Sequence, residues 1–89
     1  MYDSLSFGLL ISYGASLAQA AFIVSKKIAK SSVVRHQVKR KLSDAIQIYL
    51  PRLPKNVELV FLAKQKAITS GREELGREVG EVLKRAKLL

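Results

Sequence analysis

Residues 5–24 form a stretch of twenty residues without a charged side chain, and the spacing of its apolar residues constrains the fold. Along its first half an apolar residue stands at every second position, and only Leu10 breaks the alternation. A period of two is typical of a β-strand that buries one face. The stretch therefore predicts two strands, over residues 5–13 and 20–26. The alternating residues of the first strand are Leu5, Phe7, Leu9, Ile11 and Tyr13.

A membrane segment is the alternative interpretation of the same residues. The uncharged stretch is long enough to span a bilayer, and Ala18-Gln19-Ala20 is similar to a signal-peptidase site. A signal peptide begins with positive charge, however, whereas only the acidic Asp3 precedes this stretch. Together with the period of two, this favours strands, and we expect no membrane partner.

The next segment predicts an amphipathic helix that ends near Leu50. Ser31 or Ser32 is placed to cap it by accepting a hydrogen bond from an early backbone N–H. Pro51 and Pro54 end the helix, because proline lacks the backbone donor and clashes with the preceding turn. One apolar stripe is expected to face the core, namely Val34, Val38, Leu42, Ala45 and Tyr49.

The C-terminal third predicts a strand over residues 57–64 and a final helix that begins near Ser70. The strand is apolar on both faces and is expected to be central, and the helix before it permits a parallel pairing with the second strand. Ser70 and Glu73 have the spacing of a capping box. Gly76 and Gly80 lie beside the apolar stripe of the final helix, which indicates close approach of another element. That stripe consists of Leu75, Val79, Val82, Leu83 and Ala86.

These elements make one domain of 89 residues in the order β-β-α-β-α. We expect an α/β (α+β) two-layer sandwich with a small mixed sheet, in which the first two strands form an antiparallel hairpin. The second strand is a continuous apolar run, and we expect it to be covered on both faces.

The charge of the chain is concentrated in one segment. The formal net charge is +9, and residues 26–66 alone carry eleven basic residues against two acidic ones. Within them, residues 26–41 hold seven basic residues and no acidic one. This favours a binding surface for a polyanion over a merely solvated face, because solvated faces normally mix both signs. The seven are Lys26, Lys27, Lys30, Arg35, Lys39, Arg40 and Lys41.

Composition excludes several classes of site. The chain has no Cys, which excludes disulfides, thiolate metal sites and a cysteine nucleophile. With His36 as its one histidine, a protein metal site is not expected. The sequence contains no Ser-His-Asp set, no pair of catalytic carboxylates and no glycine-rich phosphate loop, so we expect no catalytic residue in the protein.

The basic segment places its cations around the start of a helix. At about 100° per residue, Arg35, His36, Lys39 and Arg40 lie on one side of this helix, away from its apolar stripe. The helix N-terminus adds free N–H groups for phosphate, and Arg adds bidentate geometry. We expect His36 to contact RNA, with simple solvation as the alternative.

Residues 24–44 resemble the RNR-motif segment of the bacterial ribonuclease P protein subunit. In that family, Ser-Lys-Lys at a strand end is followed by a basic residue, a short spacer and then Arg-Asn-x-x-Lys-Arg on a helix. Here Ser25-Lys26-Lys27 and Lys30 match the strand end and loop, Arg35 matches the first Arg, and Lys39-Arg40 match the basic pair. The resemblance extends over about residues 5–88.

Three positions depart from the family pattern. His36 stands where the family usually has Asn, Gln37 where it has a second Arg, and Ser43 where it has a later Arg. We therefore expect an RNA-facing side that is thinner than usual in the family.

The family also has a helix before its first strand, and this helix and the sheet enclose a cleft for the 5′ leader of precursor tRNA. This chain begins almost at the strand, so we expect the cleft to be open or reduced. Phe7, Leu9 and Ile11 are expected either as remaining cleft positions or as ordinary sheet packing.

The resemblance implies a protein that assists an RNA catalyst. In the family the catalytic RNA cleaves precursor tRNA with Mg²⁺ held mainly by RNA and substrate, and the protein binds both RNAs. It also implies a cytoplasmic ribonucleoprotein with one copy of this chain, and a ribosomal-protein-like fold with a left-handed β-α-β crossover. The RNA-binding residues it implies are Lys26, Lys27, Lys30, Arg35, His36, Gln37, Lys39 and Arg40.

Two other functions stay open. One is a ribosomal or other structured-RNA-binding module without a part in tRNA processing, which would use the same basic helix. The other is a nucleic-acid-binding protein that dimerises when free through its uncovered sheet surface.

Overall fold

The computed structural model describes all residues, 1–89, as a four-stranded sheet with two helices packed on one face. The predicted two-layer α+β sandwich is confirmed, and so is the order of its main elements. No helix in the structure has the length and apolar character that crossing a bilayer requires. The elements are β1 (Tyr2–Asp3), β2 (Phe7–Tyr13), β3 (Gln19–Ile23), α1 (Ser32–Gln47), β4 (Val57–Ala63) and α2 (Arg72–Arg85).

The strand order is β1-β2-β4-β3, so β2 and β3 do not pair. The predicted antiparallel hairpin is therefore wrong, because β4 lies between these strands, antiparallel to β2 and parallel to β3. The chain passes from β2 to β3 over the start of β4, where the N–H groups of Gly14 and Ala15 donate to the Asn56 carbonyl at 3.1 and 3.3 Å. Gly14 has a φ of 115°, a left-handed conformation that favours glycine.

The central position of β4 and its parallel pairing with β3 are as predicted. β3, in contrast, is an edge strand in which half-buried and exposed residues alternate. The prediction that β3 is covered on both faces is wrong, because its apolar run meets the helical layer on one side only. Ile23 on the other side is 51% exposed.

The core lies between the sheet and the helices, where burial of apolar surface stabilises the fold. Phe61 of β4 is at its centre, with Phe7 edge-on at 5.2 Å and Phe22 stacked at 5.4 Å between ring centroids. Most of the predicted helix stripes are confirmed, although Val34, Tyr49 and Ala86 are only half-buried and Ile46, which was not predicted, is buried. The buried helix residues in these stripes are Val38, Leu42, Ala45 and Ile46 of α1 and Leu75, Val79, Val82 and Leu83 of α2.

Both ends of α1 follow from local sequence. Ser31 is the cap, as predicted, and its Oγ accepts a hydrogen bond from the Val34 N–H at 3.3 Å. The helix stops slightly before the predicted end, and a 3₁₀ turn over Leu50–Arg52 that contains Pro51 follows it. Proline is compatible with the first positions of such a turn, where no backbone donor is needed.

The predicted capping box at the start of α2 is wrong. Gly71 occupies the N-cap position, and no side chain caps the helix. Ser70 is buried instead, where its Oγ donates to the Lys66 carbonyl at 2.9 Å and lies 2.8 Å from the Ser6 Oγ. Ser70 therefore joins the connection between β1 and β2 to the segment before α2 rather than opening the helix.

The two glycines of α2 have different surroundings. A methyl group at Gly80 would lie 2.6 Å from the Tyr49 hydroxyl oxygen, whereas one at Gly76 would meet nothing within 4 Å. The Tyr49 hydroxyl also donates to the Gly76 carbonyl at 3.3 Å. The predicted close approach is thus confirmed at Gly80, while at Gly76 it involves only the carbonyl.

We expect Gly76→Ala to stabilise the protein and Gly80→Ala to cancel that gain or to destabilise the protein. Alanine removes the helix-propensity disadvantage of glycine at both positions, about 1 kcal/mol. At Gly80 the methyl group also displaces Tyr49 and breaks its hydrogen bond, so Gly80→Ala should be about 1–3 kcal/mol less stable than Gly76→Ala. Urea denaturation measures the difference. Adding Tyr49→Phe to Gly80→Ala should recover part of it, and equal stability of the two alanine variants would contradict the contact.

Candidate nucleic-acid interface

The basic loop between β3 and α1 is a folded turn. The N–H groups of Ile28 and Ala29 both donate to the Ser25 carbonyl, at 3.1 and 3.2 Å. Val24 belongs to the core and Ile28 packs against it, which holds the loop in place, and Ala29 is also buried. As a result, the turn presents three exposed cationic side chains, those of Lys26, Lys27 and Lys30.

Arg35 ties this loop to α1. Its Nη1 donates to the carbonyls of Ala29 at 2.9 Å and Lys30 at 2.8 Å. A guanidinium has five N–H donors, so the other nitrogens remain suited to a phosphate. The sequence predicts only a phosphate contact for Arg35. In the structure, Arg35 also fixes the loop that carries the three lysines.

The exposed side of α1 continues the basic surface. His36, Lys39 and Arg40 are exposed, and the ion pairs of the structure involve other residues. Gln37 is also exposed but lines a groove beside α2, so it lies at the edge of this surface. We call the whole set the loop–helix surface: Lys26, Lys27, Lys30, Arg35, His36, Lys39 and Arg40.

Lys41 is not part of this surface, although it is one of the seven clustered cations in the sequence. Its Nζ donates to the carbonyls of Ala67, Ile68 and Ser70 at 2.7, 3.1 and 2.9 Å. Burial, and then the charge of Arg72, lower the pKa of the Lys41 ammonium. Lys41 therefore holds the segment before α2 against α1 and is a structural cation.

The side chains of Phe7, Leu9 and Ile11 face the helical layer. Phe7 and Leu9 are 0% exposed, and Ile11 is half-buried against the same core. Of the two alternatives for these residues, their burial favours ordinary sheet packing over cleft positions. Since side chains alternate along a strand, the opposite face of β2 carries Leu10 and Ser12 instead.

The opposite face of the sheet has no helix on it. Its centre is apolar, the Ser12–Glu58–Gln19 row beside it is polar, and the side chains of Met1 and Asp3 lie next to Gly8. Leu10, the residue that breaks the alternation in the sequence, is 43% exposed there, so this break was the available signal for an apolar open surface. We call this surface the open sheet face. Its centre consists of two rows of paired residues across β2, β4 and β3, Leu10–Val60–Ala21 and Gly8–Leu62–Ile23.

Comparisons with known proteins agree on one family. The family model described as Ribonuclease P matches residues 4–87. The ribonuclease P protein component of Synechococcus sp. is 31% identical over 72 residues, which cover 81% of this chain and 54% of the relative. That of Symbiobacterium thermophilum is 34% identical over 71 residues, which cover 80% of this chain and 61% of the relative. The chain thus spans only about half to three-fifths of the length of these relatives.

The fold has a close counterpart among solved structures. A mutant of the Staphylococcus aureus RNase P protein matches with a TM-score of 0.83 at 19% identity, over 99% of this chain and 75% of that chain. This similarity shows the fold alone. Since the family model matches nearly the whole sequence, the chain belongs to the ribonuclease P protein family.

Proposed function

We propose that this chain is the protein subunit of a cytoplasmic ribonuclease P and binds the catalytic RNA through the loop–helix surface. The observation that carries the proposal is the arrangement of that surface. Arg35 fixes the loop against α1, so that the loop lysines and the exposed cations of α1 form one patch, and residues 26–41 contain no acidic residue. Cations that neutralise RNA phosphates release counterions, which drives binding.

In this proposal the RNA performs the hydrolysis that removes the 5′ leader of precursor tRNA. The chain contains no group of three or more His, Asp or Glu side chains arranged to hold a metal ion. The proposal therefore assigns Mg²⁺ to the catalytic RNA and the substrate. The protein contributes a positive potential, which reduces the repulsion between two RNA molecules that must approach each other.

We place the 5′ leader on the open sheet face rather than at Phe7, Leu9 and Ile11. The centre of that face is apolar, and unstacked bases of single-stranded RNA can bury apolar surface against it. It is also next to the cations, because Ile23 at its edge is followed closely in the chain by Lys26 and Lys27.

Reconstitution with a transcribed bacterial ribonuclease P RNA tests the proposal. At a low Mg²⁺ concentration, at which the RNA alone is slow, adding the protein should raise the rate of precursor-tRNA cleavage. Lys39→Ala combined with Arg40→Ala should lose most of this stimulation while keeping the fold, since both side chains are exposed. Binding of the RNA without a faster cleavage of precursor tRNA would favour the alternative of a structured-RNA-binding module. Light scattering on the free protein tests whether it forms a dimer.

A further inference from the structure

We propose that the groove between α1 and the first turn of α2 binds a phosphate group of the RNA, with Arg72 as its contact on α2. This inference rests on the proposed function, because it extends the loop–helix surface. The groove has a volume of about 400 Å³, an aliphatic floor and four polar lining residues, Gln37, Arg40, Lys41 and Arg72. No acidic side chain lines it.

The charge in the groove matches an anion. Three of its four polar residues are cationic, and Lys41 already donates to three carbonyls, which leaves Arg40 and Arg72 to meet a ligand from the two helices. Neighbouring cations repel one another. After burial, the charge of Arg72 is the second cause that lowers the pKa of Lys41. A phosphate in the groove would offset this repulsion.

The carboxylate that pairs with Arg72 leaves the groove open. Arg72 Nη1 donates to the Asp44 carboxylate, and the side chains of this ion pair are 60% and 61% exposed, so solvent screens it. Asp44 lines the neighbouring groove and not this one. Because the guanidinium has further N–H donors, Asp44 can orient Arg72 while a phosphate accepts from the other nitrogens.

The groove is continuous with the loop–helix surface. Arg40 belongs to both, so an RNA strand that contacts Lys39 and Arg40 reaches Arg72 by crossing the groove. Gln37 also lines the groove between Arg40 and α2 but carries no charge. Arg72 is therefore the cation that α2 contributes opposite Arg40.

Binding of a transcribed bacterial ribonuclease P RNA in a salt series tests this inference. Arg72→Gln should weaken binding several-fold and reduce the slope of log affinity against log salt by about 0.7–0.9, the value for one phosphate contact. Arg77→Gln is the matched control, since it makes the same charge change on the same helix but outside the groove. It should leave the slope unchanged, and equal effects of the two variants would overturn the proposal.

Gln37→Arg supplies a second, independent measurement. In the Arg72→Gln background, an arginine at position 37 should restore the lost part of the slope of log affinity against log salt. In the wild type it should increase this slope less, because Arg72 already neutralises the phosphate. An equal gain in both backgrounds would overturn a shared phosphate. Lys39→Ala distinguishes failure of the groove from failure of the proposed function. If Lys39→Ala weakens binding and Arg72→Gln does not, only the groove is refuted. If neither variant weakens binding, the proposed binding of RNA by the loop–helix surface fails as well. Thermal unfolding followed by circular dichroism verifies that each variant is folded.

Discussion

The affinity of this protein for ribonuclease P RNA is expected to fall on the order of 10³-fold when the salt concentration rises from about 50 to 200 mM. Each phosphate that the protein neutralises releases counterions, so log affinity falls linearly with log salt, by about 0.7–0.9 per contact. Fluorescence anisotropy with labelled RNA measures the slope. The six cations expected to make these contacts are Lys26, Lys27, Lys30, Arg35, Lys39 and Arg40.

Within this surface, Arg35→Ala should weaken binding more than Lys39→Ala. Lys39 is exposed and contributes one charge, so its loss should reduce the salt slope by about one contact. Removing Arg35 also releases the loop from its hydrogen bonds to the Ala29 and Lys30 carbonyls. The loop lysines would then have to be ordered on binding, at an entropic cost that the native loop avoids.

Arg35→Lys separates the two contributions of Arg35. The lysine keeps the charge but lacks the planar fork that reaches two carbonyls while leaving donors for phosphate. It should therefore bind RNA more weakly than the wild type at every salt concentration. Lys84→Ala, an exposed cation on α2, is the control and should change the slope little. Unchanged affinity in both Arg35→Ala and Lys39→Ala would contradict the assignment of this surface to RNA.

The secondary structure could be predicted from the sequence because its signals are local. The period of two in β2, the apolar stripes of α1 and α2, and Ser31 before α1 depend only on residues a few positions apart. The strand order, in contrast, does not follow from such local signals. Whether β2 pairs with β3 or with β4 is decided by contacts between residues far apart in the chain, such as Leu10 and Val60. The hairpin, the most local arrangement, was predicted for that reason and was wrong.

The same distinction applies to the candidate site. The loop lysines and the cations of α1 are neighbours in the sequence, so their common surface could be predicted. The role of Lys41 depends on carbonyls of the segment before α2, and that of Arg72 on the packing of α2 against α1. Neither contact is visible as a periodic pattern in the sequence. The clustered cations of residues 26–41 therefore include Lys41, whereas Arg72 lies outside that segment.

Replacing Glu78 by alanine is expected to destabilise the protein by about 2–4 kcal/mol. The Glu78 carboxylate, on a residue that is 9% exposed, accepts hydrogen bonds from the Ser4 hydroxyl at 2.5 Å, the Ser6 N–H at 2.9 Å and the Ser6 hydroxyl at 2.7 Å. Ser6 is fully buried, so alanine would leave its N–H without an acceptor. Glu81→Ala is the control, because Glu81 is an exposed residue on the same helix.

The effect of Glu78→Ala should be greatest at the N-terminal strand. Glu78 fixes Ser4 and Ser6, the residues that lead from β1 into β2, while Lys64 adds an ion pair to Asp3 at 3.0 Å and a hydrogen bond to the Ser4 carbonyl at 2.9 Å. The side chains of this ion pair are 42% and 60% exposed, so solvent screens it and it cannot replace a buried carboxylate. Hydrogen exchange should therefore show loss of protection in β1 before α1 and α2 lose theirs. An equal loss of protection in all strands of the sheet would contradict an effect of Glu78 that is confined to the N-terminal strand.

The pH dependence of stability provides the sharpest measurement of the Glu78 interaction. Burial alone would raise the pKa of the Glu78 carboxyl, but the hydrogen bonds from Ser4 and Ser6 and the charge of Lys66 outweigh it and lower the pKa. A carboxyl whose pKa is lower in the folded than in the unfolded state stabilises the fold above its unfolded pKa, near 4.3, and loses that contribution as the pH falls through the folded value. The difference in unfolding free energy between the wild type and Glu78→Gln should therefore be constant near neutral pH and shrink below about pH 4. A difference that stays constant in acid would mean that the ionised carboxylate is not what holds the N-terminal strand.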